Sequence, residues 1–245
     1  MTEPPIPRYH ILVESGNWSE LLKARKEGAS WDNLLTRTGT PALGVAILCD
    51  STTAVKLLLE NGAPIATHTL FSGERWSPLW AAINQGNGQI IEALLAAGAD
   101  PDEPHPITGA KPIDVVSEHG DNAATVALCK YGARPNTNNT PSALWWWIHH
   151  LTPNEDNDDG TFRFPDSEPV MALIQAGARI NAQKQHSMGV DPLTSAKRKW
   201  AHYKLSPQDE RRMQLVLSAL ERAALMEQAQ NQQHTDRIET NNTKM

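Results

Sequence analysis

The chain has 245 residues, 40% of them hydrophobic, and a formal net charge of −6 at pH 7. That length fits one large domain or a short array, and the apolar content supports a packed core. The acidic balance speaks against general nucleic-acid binding, which favours a basic face, and against anionic membrane surfaces.

Residues 1–6 form a proline-rich tail expected to be disordered. The opening MTEPPIPRYH has no basic flank and no long apolar run, so it is not read as a secretory signal. No later stretch is long and apolar enough to span a bilayer. Helical patterns follow at 9–14 and 19–26, between Gly16 and Gly28, and their charged decoration (Glu14, Lys23, Arg25, Lys26, Glu27) suits a solvent-facing N-terminal cap. The clearest unit is SPLWAAINQGNGQIIEALLAAGADPD at 77–102. Ser77 is an N-cap with Pro78 at the first helical position, where no backbone donor is needed. Gly86 suits a turn between two helices, and Gly98 a left-handed C-terminal cap. Leu79, Ala82 and Ile83 make one apolar stripe; Ile90, Ile91, Leu94 and Leu95 make another at helical spacing. The unit is too short to bury its own apolar faces, so it needs neighbours.

Gly-Ala recurs after helical runs at Gly28, Gly62, Gly98, Gly132 and Gly177, in steps of 34, 36, 34 and 45 residues. Proline opens helices at Pro41, Pro78, Pro112, Pro141 and Pro192. A period near 34 with this internal grammar indicates a solenoid. The unit at 77–102 resembles the ankyrin repeat, T-P-L-H-x-A-A followed by a glycine, an apolar helix and G-A-D-P-N, with Trp80 at the usual histidine. Residues 111–136 keep the register with Gly120 and Gly132, and 40–65 fits with one extra residue. The resemblance covers roughly residues 7–201, loosely at both ends. It implies an all-α ankyrin solenoid of stacked helix-turn-helix units with short β-hairpin or loop fingers at 30–39, 66–76 and 103–110. The expected domain is single, residues 7–228.

The fifth unit departs from the pattern. PSALWWWIHHL opens at Thr140-Pro141, but the second helix starts only near Pro169. The insertion between them, 152–168, is rich in Asp, Asn, Pro and Gly and reads as a projecting loop, a frequent place for function. A sixth unit opens at Asp191-Pro192. The last helix begins at Ser206 (N-cap) and Pro207, with Asp209 and Glu210 in the first turn. Its inner stripe is Met213, Val216, Leu217, Leu220 and Ala224. Residues 229–245 are polar and expected to be disordered.

No phosphate-cradling loop, G-x-S-x-G elbow, C-x-x-C pair or H-E-x-x-H helix occurs, and no enzyme, cofactor or metal is expected. His149 and His150, adjacent on a helix, point about 100° apart and do not readily share an ion. Glu155, Asn157, Asp159, Gly160 and Asp166 fall on part of a calcium-loop template, but the first and last ligands and the flanking helices are wrong. Cys49 and Cys129 read as small buried fillers in a reducing, cytoplasmic setting.

Eight tryptophans stand against three Phe and three Tyr. Trp145, Trp146 and Trp147 are consecutive and cannot share one helix face. Tryptophan is favoured at interface hot spots, although packing between repeats also accounts for several. The resemblance implies a rigid protein-binding module, and the expected contact residues are Trp31, Trp76, Trp80, Trp145 and Trp146, with Glu74, Arg75 and Glu103 on fingers. Glu155, Asp156, Asp158 and Asp159 would steer toward a basic patch on a partner protein. The chain itself is expected to be a monomer when free. The resemblance extends to short, divergent bacterial ankyrin proteins, some of which are inhibitors or immunity proteins. Alternatives are an effector acting on host proteins and a metal-binding or enzymatic protein using His149, His150 and the insertion.

Overall fold

The structure, a computed structural model, describes residues 9–66, 69–71, 74–135, 142–151, 153–155, 162–180 and 191–242. Its contacts fall into two compact units, Met1–Pro112 and Ile113–Met245, where the sequence suggests one domain over 7–228.

The first unit contains α1 (Tyr9–Glu14), α2 (Trp18–Lys26), a 3-10 turn (Trp31–Asn33), α3 (Ala42–Leu48), α4 (Thr52–Glu60), β1 (Thr69–Phe71), β2 (Glu74–Trp76), α5 (Pro78–Gln85) and α6 (Gly88–Ala96). Short polar caps start the helices: the Asn17, Ser51, Ser77 and Asn87 side chains each accept a backbone N–H from the first turn. The helices form three antiparallel hairpins stacked in two rows, with α1, α3 and α5 in one and α2, α4 and α6 in the other. Leu21, Ile47, Leu58, Leu79, Ile90 and Leu94 are fully buried between the rows. The turns inside the hairpins need a left-handed residue, supplied by Gly16, Asp50 and Gly86. Asp50, at φ 53°, is held there by the side chain of Asn87, which donates to its Oδ1 at 2.6 Å and to Thr52 Oγ1 at 3.3 Å. That bond links the second hairpin to the third. The strands pair antiparallel, Thr69 with Trp76 and Phe71 with Glu74, and this finger lies against α3 and α5.

The second unit contains α7 (Pro112–His119), α8 (Asn122–Lys130), α9 (Ala143–His150), β3 (Asn154–Glu155), β4 (Phe162–Arg163), α10 (Glu168–Gln175), α11 (Pro192–Trp200) and α12 (Pro207–Asn242). Helix α10 packs on α8, α9 and α12, and α11 on α9 and α12.

Three expectations need correction. The ends of the insertion are not a free loop: β3 pairs with β4, and Phe164 beyond them is 1% exposed. Helix α12 continues through Asn242, past Gln230, because no glycine or proline follows Pro207 to stop it. Cys49 is exposed, since it is the C-cap of α3 and not a core position; Cys129 is half-buried, and burial pushes its thiol up to about 11.

Candidate functional site

In the first unit the candidate surface is made by two fingers. One is the β1–β2 hairpin, which carries Glu74, Arg75 and Trp76. The other is the loop after α6, where Asp102 and Lys111 form a 3.4 Å ion pair across its base. Inside that loop the Asp102 N–H donates to Asp100 Oδ1 (2.9 Å), the His105 N–H to the Ala110 carbonyl (2.8 Å) and the Gly109 N–H to the His105 carbonyl (2.9 Å). Gly109 takes φ +69°, which closes the turn without strain. The ring of His105 fills the loop: its Nδ1 accepts the amides of Ile107 (3.3 Å) and Thr108 (3.2 Å). Trp76 and Trp80 both stand edge-on to that ring, at centroid distances of 5.3 and 4.7 Å. The tip residue Ile107 is 64% exposed.

The structure separates the expected contact residues by role. Trp80 is not an exposed anchor: it is 2% exposed, and its indole N–H donates to the Glu103 carbonyl at 3.1 Å. Its task is to dock the base of the finger, and Glu103 contributes its backbone to that bond. Trp76 is half-buried at the finger's flank. Trp31 is half-buried too, covered by the Arg25 guanidinium 5.8 Å from its ring, and it borders a cleft of about 300 Å³ with Pro41 and Pro64. Ile107 and His105 were missed from the sequence. A single apolar residue in the polar run EPHPITGAK has no period to betray it, and nothing local shows that His105 folds inward.

In the second unit α9 carries the aromatic run. Trp147 is 5% exposed and donates from Nε1 to Thr125 Oγ1 on α8 at 3.1 Å, so it is a core residue. Trp145 and Trp146 are half-buried. One turn later His149 stacks on Trp145 (5.0 Å, 8° between planes) and His150 on Trp146 (6.1 Å, 21°). His150 Nε2 also lies 3.0 Å from the Glu118 carbonyl. Lys199 of α11 donates to the carbonyls of Ile148 and His149, the C-terminal end of α9, where a cation complements the helix dipole. Partial burial and the neighbouring Lys199 charge hold His149 below the usual histidine range, and burial lowers Lys199. Trp200, the last residue of α11, clamps both ends of the insertion: Nε1 donates to the Leu151 carbonyl at 2.7 Å, and its ring meets Phe164 edge-on at 5.1 Å. Glu155 lies in β3; Asp156, Asp158 and Asp159 lie outside the described residues.

Among the described residues no group of three or more His, Cys, Asp or Glu side chains is arranged to hold a metal ion, and no helix is long and apolar enough to cross a membrane.

Comparison with known proteins gives a consistent picture. A family description reading ankyrin repeats (3 copies) matches residues 9–105. An ankyrin repeat protein of fowlpox virus (strain NVSL) is 26% identical over 176 residues, 72% of this chain and 37% of the viral protein. The chain thus spans little more than a third of that relative's length. Among solved structures, an ankyrin repeat domain from Acinetobacter baumannii AYE superposes with a TM-score of 0.56 at 22% identity, covering 88% of this chain and 96% of that one. The ankyrin repeat domain of Bcl-3, described as a unique member of the IkappaB protein family, gives 0.51 at 20% identity over 88% and 85%. At these identities the likeness is one of fold.

Proposed function

We propose that the chain, whose residues 9–105 match the ankyrin-repeat family and whose fold is that of ankyrin-repeat domains, is a dedicated binding module for one protein partner. Ankyrin repeats are protein–protein interaction modules. The observation that carries the proposal is the finger at 102–111, a loop closed by its own hydrogen bonds and docked on two tryptophans, with Ile107 64% exposed at its tip. An apolar group held out to solvent on a rigid support has little ordering cost left on binding. Trp76 beside it, with Trp145 and Trp146 on α9, supplies the aromatic area typical of hot spots.

The finer proposal is an inhibitor of the immunity-protein kind in a cytoplasmic setting. The insertion, with Glu155, Asp156, Asp158 and Asp159, meets a basic patch on the partner and speeds encounter. The test is a native pull-down from the cells that encode the protein, on wild type beside Ile107→Asp and a variant neutralised at the four acidic positions. One stoichiometric partner should survive gel filtration with wild type and be lost with Ile107→Asp. The acidic variant should slow association and flatten its salt dependence. Absence of any stoichiometric partner on wild type would overturn the reading.

A further inference from the structure

We propose that the cleft beside Trp31 is a binding site for an arginine side chain presented by the partner protein. This rests on the reading of the chain as a protein-binding module and names a chemistry that its partner carries.

The cleft is built before any ligand arrives. It lies in the first unit, between the loop at 30–41 and the turn after α4, and its volume is about 300 Å³. Ser30 Oγ accepts the Asp32 N–H at 3.3 Å and starts the 3-10 turn that carries Trp31. The Leu34 N–H donates to the Trp31 carbonyl at 3.1 Å and closes that turn. Further along, the Thr36 N–H donates to the Thr40 carbonyl (2.9 Å) and the Ala42 N–H to the Leu34 carbonyl (3.2 Å), which sets Leu35 against Pro41. Arg37 ties the same loop to α1, donating from its backbone N–H and its guanidinium to the Glu14 carboxylate. On the other wall the Ala63 N–H donates to the Leu58 carbonyl at 3.0 Å, just before Pro64. A cleft with hydrogen-bonded backbone on both walls loses little freedom when it is filled.

The lining selects the ligand. Leu35, Pro41, Ala63 and Pro64 are apolar and stand beside the Trp31 indole, so the walls suit an aliphatic stem. Among the described residues, Asp32 is the one charged group in the lining, and it is exposed. Ser30 Oγ donates to its Oδ2 at 3.2 Å, and its Oδ1 has no partner among the described residues. Neither Trp31 Nε1 nor Arg25 Nε, both buried without a hydrogen-bond partner, is bonded to it. Arg25 instead donates to the Ala29 carbonyl at 3.1 Å and covers the indole, while Arg37 is taken by Glu14. An apolar slot with an unpaired carboxylate in its lining takes a side chain with an apolar stem and a cationic head. Arginine fits better than lysine: its planar fork matches a carboxylate, and its weakly hydrated plane lies flat on indole and proline faces. An acidic side chain would meet Asp32 as a like charge.

The test is an amide and indole NMR titration of the isotope-labelled full chain. The probe is the peptide acetyl-Gly-Gly-Arg-Gly-Gly-amide, beside the same peptide with norleucine or glutamate at the centre. The arginine peptide should give saturable shifts at the Trp31 indole and at the Asp32, Ala42 and Ala63 amides. It should bind about fivefold or more tightly than the norleucine peptide, the scale of one hydrogen bond to a charged group, and the glutamate peptide should give no shifts there. Asp32→Asn keeps an oxygen for Ser30 and removes the charge, so its arginine affinity should fall to the norleucine level with the rest of the spectrum unchanged. No saturable shifts at these positions, equal binding of the arginine and norleucine peptides by wild type, or full arginine affinity in Asp32→Asn would overturn the proposal. The titration needs no partner. A partner retained in the pull-down without any response to the arginine peptide would sink this site alone, and a selective response in a protein that draws down no partner would sink the binding-module reading alone.

Discussion

Removing the Phe164 ring is the sharpest test of how the insertion is held. Phe164 is 1% exposed and packs edge-on against Trp200, itself 1% exposed, whose indole N–H binds the Leu151 carbonyl on the other side of the insertion. One tryptophan thus ties both ends of the segment. Deleting a fully buried phenylalanine costs about 3–5 kcal/mol, from lost transfer energy and the cavity left behind. The edge-to-face pair accounts for about 0.5–1.5 kcal/mol of that. Phe164→Leu keeps most of the volume and loses the ring geometry, so about 1–2 kcal/mol is expected. Urea unfolding followed by tryptophan fluorescence should report the change. With a slope of about 2 kcal/mol/M, Phe164→Ala should lower the midpoint by roughly 1.5–2.5 M. A shift below about 0.5 M would mean that Phe164 is not a core residue and that the insertion hangs from the body as a free loop.

Other outcomes follow from the same structure. Asp50→Ala should cost about 1 kcal/mol more than Asp50→Asn by thermal or urea melts, because Ala tolerates φ 53° poorly and offers Asn87 no acceptor. Ellman's reagent should modify Cys49 at once and Cys129 slowly at neutral pH, as a thiol pushed up to about 11 has little thiolate. The Arg37 backbone N–H and guanidinium on Glu14 hold its carboxyl below the usual range. Its stabilising contribution is therefore present above the unfolded value of 4.5 and is lost as pH falls through the lowered folded value; an NMR titration should show Glu14 moving up in Arg37→Ala. Truncating α12 after Gln230 should change the unfolding free energy by less than about 0.5 kcal/mol, since residues 231–238 are exposed on every side.

The repeat grammar was legible because it is written in local chemistry. Ser77-Pro78 caps a helix whatever surrounds it, Asn87 does the same, and Gly86 and Gly98 take the left-handed backbone those turns demand. What could not be read was tertiary. Whether Trp80 faces solvent depends on the carbonyl of Glu103, 23 residues away, folding back over it. Phe164 looked like part of an acidic loop until Trp200 from α11 covered it. Polar composition suggested disorder after Gln230, but glutamine, glutamate and arginine are good helix formers and no breaker intervenes. The site was half legible: tryptophans near fingers could be named, but only the fold sorts the docking ones, Trp80 and Trp147, from the half-exposed Trp76, Trp145 and Trp146.

Site-specific photocrosslinking addresses the contact surface most directly. A photoreactive residue would be placed at Ile107 on the finger tip and, in a second protein, at Gln228 on the exposed side of α12, each expressed in the cells that encode the chain. The account predicts one adduct at position 107, to the same protein that co-purifies in a stoichiometric complex, and none at 228. Adducts from 228 with none from 107 would contradict it.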